Sequence, residues 1–248
     1  PAAGTGDPLP PLWHWLYFLH WPAQHALGAD GHVRDGGFLP PVPERRRMFA
    51  GGRCRVTAPL RLGEPAERLS SLGAVTTKQG RVGELLFVTV RQEFLQSGRI
   101  CLIEEQDIVY RSGEGSAGQQ PPSPPAAGLP RAEAPWQLRA RPDERLLFRF
   151  SALTANTHRI HYDAPYCRDV EGYPALVVHG PLLALLMCEL VRRNVPGRSV
   201  RSLSYRLRQP VLCGEHLLAA GTPNDDRADL RIATNREDRH ATAEVAFG

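Results

Sequence analysis

The most continuous apolar run of the chain follows a Gly-Pro pair in its C-terminal half. Gly180 is an acceptable helix N-cap, and Pro181 suits the first helical position, where no N–H is needed. Apolar side chains then cover most of the helix circumference as far as Val191, which is typical of a buried helix. Arg192 and Arg193 complement the helix dipole in the last turn. We therefore predict a buried helix whose first amide groups can bind a developing negative charge.

Runs rich in strand-forming residues predict a set of antiparallel strands in each half of the chain. In the first half these runs cover 54–60, 67–78, 85–94 and 100–110. In the second half a short strand is predicted at 144–150, followed after the helix by 199–207, 215–221, 228–234 and 242–247. Turn residues at 96–99 and at 224–226 connect neighbouring runs, as expected of hairpins. The predicted fold class is α+β with antiparallel sheets.

A Pro-rich segment divides the chain into two halves with the same order of elements. Residues 112–143 hold the run Gln-Gln-Pro-Pro-Ser-Pro-Pro and few apolar side chains, so we predict an extended linker there. An aromatic run at 12–21 and four strands make up residues 1–111, just as a helix and four strands make up most of 144–248. Residues 22–52 are predicted to form a long loop, a length usually associated with function.

A polar loop ahead of the predicted helix carries Asn156, His158, His161 and Asp163. A neutral imidazole can take a proton from water while an amide or a carboxylate holds that water, so the loop suits acid–base catalysis. Zinc is a competing interpretation of His158, His161 and Asp163, but their spacing matches no common zinc pattern and no cysteine pair lies nearby. A wet loop beside an ordinary core helix is another. We favour metal-free acid–base chemistry and predict no metal ion.

The composition favours an anionic small molecule over nucleic acid as a partner. The 248-residue chain is 42% hydrophobic and has a net charge of +4, and Lys78 is its one lysine. Arginine forks suit phosphate and carboxylate groups. No basic run is interleaved with aromatic residues, which argues against nucleic acid.

Cysteine usage and hydropathy predict a cytoplasmic protein without a membrane partner. The 5 cysteines are odd in number, scattered and without C-x-x-C spacing, which favours reduced thiols over a disulfide framework. Neither a signal peptide nor a transmembrane run is recognisable in the sequence.

The polar loop and the helix together resemble the MaoC-like, (R)-specific enoyl-thioester hydratases and dehydratases of the hotdog fold. The family motif is an aspartate, four residues, a His-x-Asp, and a downstream His-Gly that opens the central helix. Here His161 and Asp163 form the His-x-Asp, and His179-Gly180 opens the helix. Asn156 stands at the aspartate position, and an amide cannot share the acid–base work that the family gives to that carboxylate.

Longer segments are similar to one branch of that family, which holds mesaconyl-C4-CoA and itaconyl-CoA hydratases and mitochondrial-type 3-hydroxyacyl-thioester dehydratases. These segments are Ser-Ala-Leu-Thr-Ala-Asn-Thr-His-Arg-Ile-His-Tyr-Asp at 151–163, Leu-Pro-Pro-Leu-Trp-His-Trp at 9–15, and Arg-Arg-Met-Phe-Ala-Gly-Gly at 46–52. The resemblance implies a double hotdog, in which two antiparallel sheets each wrap around a central helix. A degenerate N-terminal hotdog would occupy 1–111 and a catalytic C-terminal hotdog 144–248, on either side of the linker.

The resemblance also implies a reaction, the reversible hydration of a short branched dicarboxylic enoyl-CoA. Itaconyl-CoA or mesaconyl-C4-CoA would give citramalyl-CoA, without a cofactor because coenzyme A is part of the substrate. A 3-hydroxyacyl-thioester dehydratase of fatty acid synthesis, acting on acyl carrier protein or CoA, is one alternative. A non-catalytic acyl-thioester binding protein is the other. A homodimer of double hotdogs is compatible with this plan.

The resemblance assigns roles to three residues of the loop and helix. His161 is the base that takes the proton of water, Asn156 holds that water, and the N–H of Gly180 binds the thioester oxygen. The second proton transfer falls to His161 itself or to a carboxylate. The candidate carboxylates are Asp163, Glu104 and Glu105.

Five further residues are candidates for substrate binding. We expect Arg47, Arg159 and Arg206 to contact a substrate carboxylate or the phosphates of coenzyme A. Tyr166 is expected to line the acyl pocket, and His179 to brace the turn that binds the oxyanion. For each arginine, a surface salt bridge is the competing interpretation.

Overall fold

In the computed structural model, which describes residues 4–34, 39, 46–80, 83–111, 123–131 and 133–248, the strands form one antiparallel sheet. The strands of these residues are β1 (Arg46–Val56), β2 (Glu67–Gly80), β3 (Gly83–Gln96), β4 (Arg99–Arg111), β5 (Trp136–Ala140), β6 (Val200–Leu207), β7 (Leu217–Asn224), β8 (Arg227–Ala233) and β9 (Ala241–Phe247). Their order across the sheet is β2-β3-β4-β1-β6-β9-β8-β7-β5. The helices are α1 (Glu144–Leu153), α2 (Ala164–Asp169) and α3 (Gly180–Asn194), and 3₁₀ turns cover Trp13–Leu16, Gln24–Ala26 and Arg159–His161.

The two halves of the chain meet edge to edge at β1 and β6. The pairing runs from Gly51 opposite Arg206 to Arg55 opposite Ser202. The strand-like runs predicted in both halves form β1–β4 and β6–β9. The predicted turns at 96–99 and 224–226 are hairpin turns between paired strands. The prediction of antiparallel strands in each half, and with it the hotdog fold, is confirmed, and the strands of the two halves form one continuous sheet.

Helix α3 is buried against the second half of the sheet, as its apolar pattern predicts. It packs on β5, β7, β8 and β9. Met187 and Leu190 have no exposed surface. At the other end of the helix, Glu189 pairs with Arg192 and Arg193 at 2.7 and 2.6 Å, so these arginines remain at the surface end. The first residues of α3 therefore belong to a buried helix.

Residues 144–150, predicted as a strand, form most of α1 instead. The side chain of Asp143 accepts a hydrogen bond from the N–H of Leu146 at 2.9 Å, which caps the helix at its N-terminus. Leu147, Phe150 and Ser151 are buried on one face of this helix. These positions follow helical spacing, so the strand prediction was wrong because the capping aspartate and the longer period were overlooked.

Two strands begin outside the runs that sequence indicated. β1 starts at Arg46, inside the predicted loop at 22–52, and β5 lies inside the predicted linker at 112–143. β5 pairs with β7, and β1 pairs with both β4 and β6. Neighbouring strands supply the hydrogen bonds here, so weak local strand propensity does not prevent pairing.

The aromatic run at 12–21 forms one 3₁₀ turn where a central helix was expected for the first half. Pro10, Pro11 and Pro22 bracket the run and limit it to a short turn. Within the described ranges, the first half therefore has no long helix against its sheet. His14 is buried in this turn, while Trp21 is exposed.

All five cysteines are free thiols, as their scattered spacing predicts. Among the described residues no helix combines the length and the apolar character needed to cross a membrane.

Candidate active site

A cavity of about 980 Å³ is lined by residues from both halves of the chain. The first half contributes the segment around the Trp13–Leu16 turn, the loop at 27–33, and β1. The second half contributes the polar loop at 154–161 and the first residues of α3. His161, Asn156 and Gly180, the three residues predicted to be catalytic, all lie on its wall.

His161 presents one ring nitrogen that is available for accepting a proton. Its Nδ1 lies 2.7 Å from the carbonyl oxygen of Val177. A carbonyl oxygen only accepts hydrogen bonds, so Nδ1 carries the proton and Nε2 keeps its lone pair. The side chain is 6% exposed and is placed by the Arg159–His161 turn. This arrangement is that of an oriented general base.

His179 supports His161 from behind. Its ring is stacked on that of His161, with centroids 3.6 Å apart and an interplanar angle of 20°. Its Nε2 lies 2.9 Å from the Oγ of Ser151 on α1, and the side chain is fully buried. His179 is also the residue immediately before α3. It therefore packs against the His161 ring at the start of α3, and it is not one of the residues lining the cavity.

Burial keeps the imidazoles of this site neutral. Desolvation lowers the pKa of His161 to about 3, although the hydrogen bond with Val177 opposes the change. Burial also lowers the pKa of His158 to about 3 and that of His179 to about 2. A neutral imidazole is the form that can accept a proton, so His161 is in its basic form throughout the physiological pH range.

These shifts predict a loss of stability in mild acid. Between about pH 6.5 and pH 3, the histidines of the unfolded chain, whose pKa values are near 6.5, bind protons. The buried histidines of the folded chain stay neutral in that range. The free energy of unfolding should therefore fall over that window by up to about 1.4 kcal/mol per pH unit for each buried histidine. Urea unfolding at about pH 7.5, 6 and 5 measures this, and His179→Phe should give a shallower decline. Equal stability at all three pH values would contradict neutral buried imidazoles.

Asn156 lies on the cavity wall, but its side-chain oxygen is already engaged. The residue follows α1 and Ala155, which has a φ of 53°. The Oδ1 of Asn156 accepts a hydrogen bond from the backbone N–H of His158 at 3.0 Å. The side chain therefore shapes the loop, and it keeps its amide nitrogen and one lone pair of Oδ1 for the cavity.

Gly180 opens α3 at the cavity wall. The amide groups in the first turn of an α-helix have no intrahelical acceptor and lie at the positive end of the helix dipole. Pro181 has no N–H, so the N–H of Gly180 is the first donor that the helix offers. A thioester oxygen in the cavity would find here the stabilisation that an enolate requires.

The residues predicted to bind substrate separate into two groups. Tyr166 and Arg47 line the cavity. Arg206 lies exposed on β6, outside the lining. Arg159 is outside it too, because its guanidinium pairs with Asp163 at 2.7 Å and lies over the ring of Tyr166 at 3.9 Å. Arg159 thereby holds the polar loop together.

The three carboxylates considered as second proton carriers do not line the cavity. Asp163 caps α2 through the N–H of Tyr166 and pairs with Arg159. Glu104 is buried in the first half, where it accepts a hydrogen bond from Trp15 Nε1 at 2.8 Å and lies 2.9 Å from His14 Nε2. The third, Glu105, pairs with Arg53 at 2.6 Å.

Sequence reasoning missed Asp30 and His32, which lie in the predicted long loop and line the cavity. The Oδ1 of Asp30 accepts from the N–H of His32 at 2.9 Å, and its Oδ2 lies 2.8 Å from His32 Nδ1. Burial alone would raise the pKa of the Asp30 carboxyl, but the hydrogen bonds and charge of His32 hold it well below its usual range. The signal available was the run Gly-Ala-Asp-Gly-His at 28–32, an acid and an imidazole two residues apart in a turn-rich segment.

Within the described residues, the donor atoms that could surround a metal ion belong to Asp30, His32 and His158 and lie within 4.8 Å of one another. Asp30 and His32 are already joined to each other by hydrogen bonds. The set proposed from sequence for zinc is different, and Asp163 of that set is committed to Arg159. The arrangement thus favours a hydrogen-bonded pair over a coordination site.

Comparison with known proteins adds a family to this geometry. A family model described as hydroxyacyl-thioester dehydratase type 2 matches residues 12–213. The mesaconyl-C(4)-CoA hydratase of Chloroflexus aurantiacus is 49% identical over 230 residues, which cover 92% of this chain and 80% of that protein.

Solved structures share the fold at low sequence identity. HtdX of Mycobacterium tuberculosis superposes with a TM-score of 0.68 at 15% identity, over 98% of this chain and 88% of its own. A MaoC-like dehydratase from Phytophthora capsici gives a TM-score of 0.63 at 13% identity, over 84% of this chain and 73% of its own.

Proposed function

This chain belongs to the hydroxyacyl-thioester dehydratase type 2 family, and on that premise we propose that it is a hydro-lyase that hydrates mesaconyl-C4-CoA or itaconyl-CoA reversibly to citramalyl-CoA. The observation that carries the proposal is His161, whose Nε2 is available on the same cavity wall as the start of α3. The identity to a mesaconyl-C(4)-CoA hydratase, 49% over most of both chains, supports the choice of acyl group.

In the proposed reaction, His161 and Gly180 act at opposite ends of the enoyl thioester. Nε2 of His161 takes a proton from water while the water oxygen bonds to the β-carbon. In mesaconyl-C4-CoA, whose double bond is conjugated with the thioester, the electrons of the double bond move to the thioester oxygen, which the Gly180 N–H stabilises as an enolate. A proton then passes from the imidazolium to the α-carbon and the carbonyl re-forms. Water, substrate and protein groups balance this reaction, so we propose no further cofactor.

Arg47 is the residue we propose for binding the second carboxylate of the substrate. It lies on β1 at the cavity wall and hydrogen-bonds to Tyr110. Burial lowers the pKa of its guanidinium, which shows a cation held partly out of water. Such a cation gains most from a carboxylate partner, and a guanidinium can bind it with two hydrogen bonds.

Replacement of Arg47 should therefore change substrate preference. We expect Arg47→Gln to lower kcat/KM for mesaconyl-C4-CoA by about 10- to 100-fold, the value of a hydrogen bond between charged groups. Crotonyl-CoA, which lacks the second carboxylate, should be hydrated at an unchanged rate. Arg206→Gln, at the exposed site on β6, is the matched control and should change neither rate. An equal loss for both substrates in Arg47→Gln would contradict the assignment.

A panel of enoyl-CoA substrates tests the function itself. Itaconyl-CoA, mesaconyl-C4-CoA, crotonyl-CoA and a long-chain enoyl-CoA are incubated with the protein, and the products are identified. Turnover restricted to the two dicarboxylic substrates supports the proposal. An absence of turnover, together with retained binding of coenzyme A thioesters, would point to a binding protein instead.

The size and lining of the cavity favour a second candidate, a 3-hydroxyacyl-thioester dehydratase for longer acyl chains. The cavity extends to aromatic side chains contributed largely by the first half, namely Trp15, Phe18, Phe49 and Phe94. An apolar wall of this kind would accommodate a hydrocarbon chain. A preference for the long-chain enoyl-CoA in the panel would select this candidate. The cytoplasmic location and the homodimer of double hotdogs stay predictions from sequence.

A further inference from the structure

The water that His161 deprotonates has a second O–H group, and this group also needs an acceptor. A water molecule has two O–H groups, of which one faces Nε2 of His161. The Oδ1 of Asn156 already accepts one hydrogen bond, from the N–H of His158, so only one of its two lone pairs remains for a water molecule. Relatives with aspartate at this position have a carboxylate there. An acceptor atom that has no hydrogen bond of its own is better suited to this O–H group, and the cavity wall offers other residues that could supply one.

Two carboxylates line the described part of the cavity, Asp30 and Glu171. Glu171 is occupied by Arg46, at 3.2 Å, and by the hydroxyl of Tyr166, which donates at 3.3 Å. Asp30 is bonded to the backbone and the ring of His32. Asp30 thus acts on the cavity through His32.

A row of imidazoles leads from Asp30 to His161. The ring of His32 lies 4.1 Å from that of His158, between centroids. The ring of His158 lies 5.5 Å from that of His161, at an angle of 86°. Among the described side chains none is hydrogen-bonded to the His158 ring. Its acceptor nitrogen is therefore available beside the base, and burial lowers its pKa to about 3, which keeps it neutral.

The row is held in place by bonds between the two halves of the chain. The carbonyl oxygen of Gly31 accepts from Thr157 Oγ1 at 2.5 Å. The carbonyl oxygen of Asp30 accepts from the N–H of Arg159 at 2.9 Å, and that of Ala29 accepts from its guanidinium, also at 2.9 Å. The loop at 28–32 is thus hydrogen-bonded to Thr157 and Arg159, the residues on either side of His158.

We propose that His158 is the second catalytic residue, a neutral imidazole that accepts the other O–H of the attacking water, in the place that Asn156 leaves without a carboxylate. Asp30 and His32 are positioning residues that hold the His158 ring. This inference rests on the proposed hydration. In the step itself one O–H bond of water breaks, its proton goes to Nε2 of His161 and later to the α-carbon, and His158 keeps its own protonation state throughout.

The test compares His158 variants with and without a restored carboxylate. We expect His158→Ala to lower kcat about 100-fold with KM changed little, as for the loss of a group that orients the attacking water. His158→Gln keeps an acceptor oxygen and should retain more activity than His158→Ala. Asp30→Asn should lower kcat about 10-fold through the loss of positioning, and should add little in the His158→Ala background. Asn156→Asp should restore most of kcat to His158→Ala, and none to His161→Ala.

His25→Ala is the control, since His25 is exposed, outside the cavity and on the same segment as His32. Circular dichroism confirms that each variant is folded before its rates are compared. A His158→Ala enzyme with more than half of the wild-type kcat overturns the inference, and so does a failure of Asn156→Asp to restore activity. A wild-type protein without turnover on any enoyl-CoA overturns the proposed function as well, whereas wild-type turnover with an active His158→Ala overturns this inference alone.

Discussion

His161→Ala is expected to lower kcat on the preferred enoyl-CoA by about a thousandfold, with KM nearly unchanged. The reason is that Nε2 of His161 is the ring nitrogen left free by the hydrogen bond from Nδ1 to Val177, and that this neutral side chain lines the cavity. Removing the ring removes the acceptor for the proton of water. It does not remove Arg47 or the aromatic wall, so binding of the substrate should persist. Steady-state rates, together with the affinity for a saturated acyl-CoA, measure the two effects separately.

His161→Ala leaves a gap beside the ring of His179, which is stacked on the ring of His161. His161→Asn is therefore the companion variant, because it fills part of the gap but is not a base at neutral pH. Both variants should be inactive and folded. A rate within tenfold of wild type in either one would contradict the role of His161 as the base.

Gly31→Ala is expected to displace the loop that carries Asp30 and His32, and to lower both the activity and the stability of the protein. Gly31 has a φ of +91°, and a Cβ added there would lie 1.8 Å from the carbonyl oxygen of Thr157. That oxygen belongs to the backbone, so no change of rotamer relieves the contact. We expect a loss of more than about 2 kcal/mol in the free energy of unfolding, or a displaced loop, and a fall in kcat of about 100-fold.

Gly214→Ala is the matched control for this substitution. Gly214 has a φ of +86°, close to that of Gly31, but a Cβ there meets no atom within 4 Å. It should show only the strain of a left-handed residue, about 1–2 kcal/mol, and full activity. Urea unfolding and kinetics of the two variants separate strain from steric displacement. If the two variants lose the same stability and both remain active, the loop at 28–32 is not held as the structure indicates.

The predictions that agree with the structure rest on patterns contained within short segments. The apolar run after Gly180 became the buried α3, and the strand-like runs of both halves became β1–β4 and β6–β9. The turn at 96–99 is formed by Ser97 and Gly98, both with positive φ, as a tight hairpin requires. Hydrophobic period and turn chemistry act between neighbouring residues, so the sequence displays them directly.

The predictions that differ from the structure involve segments whose state depends on distant partners or on a cap. The edge strand β5 forms because β7 offers it a partner, and the Arg- and Gly-rich start of β1 forms between β4 and β6. The segment at 144–150 became helical because Asp143 caps it. Strand formation in particular depends on the neighbouring strand that supplies the hydrogen bonds. That neighbour is distant in the sequence, so a short segment does not reveal it.

Within the site, the sequence by itself determined the polar loop and the helix start, and it predicted His161 as the leading base, because the short stretch at 156–180 carries all three. The tertiary structure decided which residues of the first half line the same cavity. Asp30 and His32 reach His158 through contacts between residues 126 apart in the chain, such as that of Gly31 with Thr157. The tertiary structure also pairs Arg159 with Asp163 and places Arg47 at the cavity wall. The physical reason is that local patterns report which elements form, whereas proximity between the two halves exists only after β1 and β6 have paired.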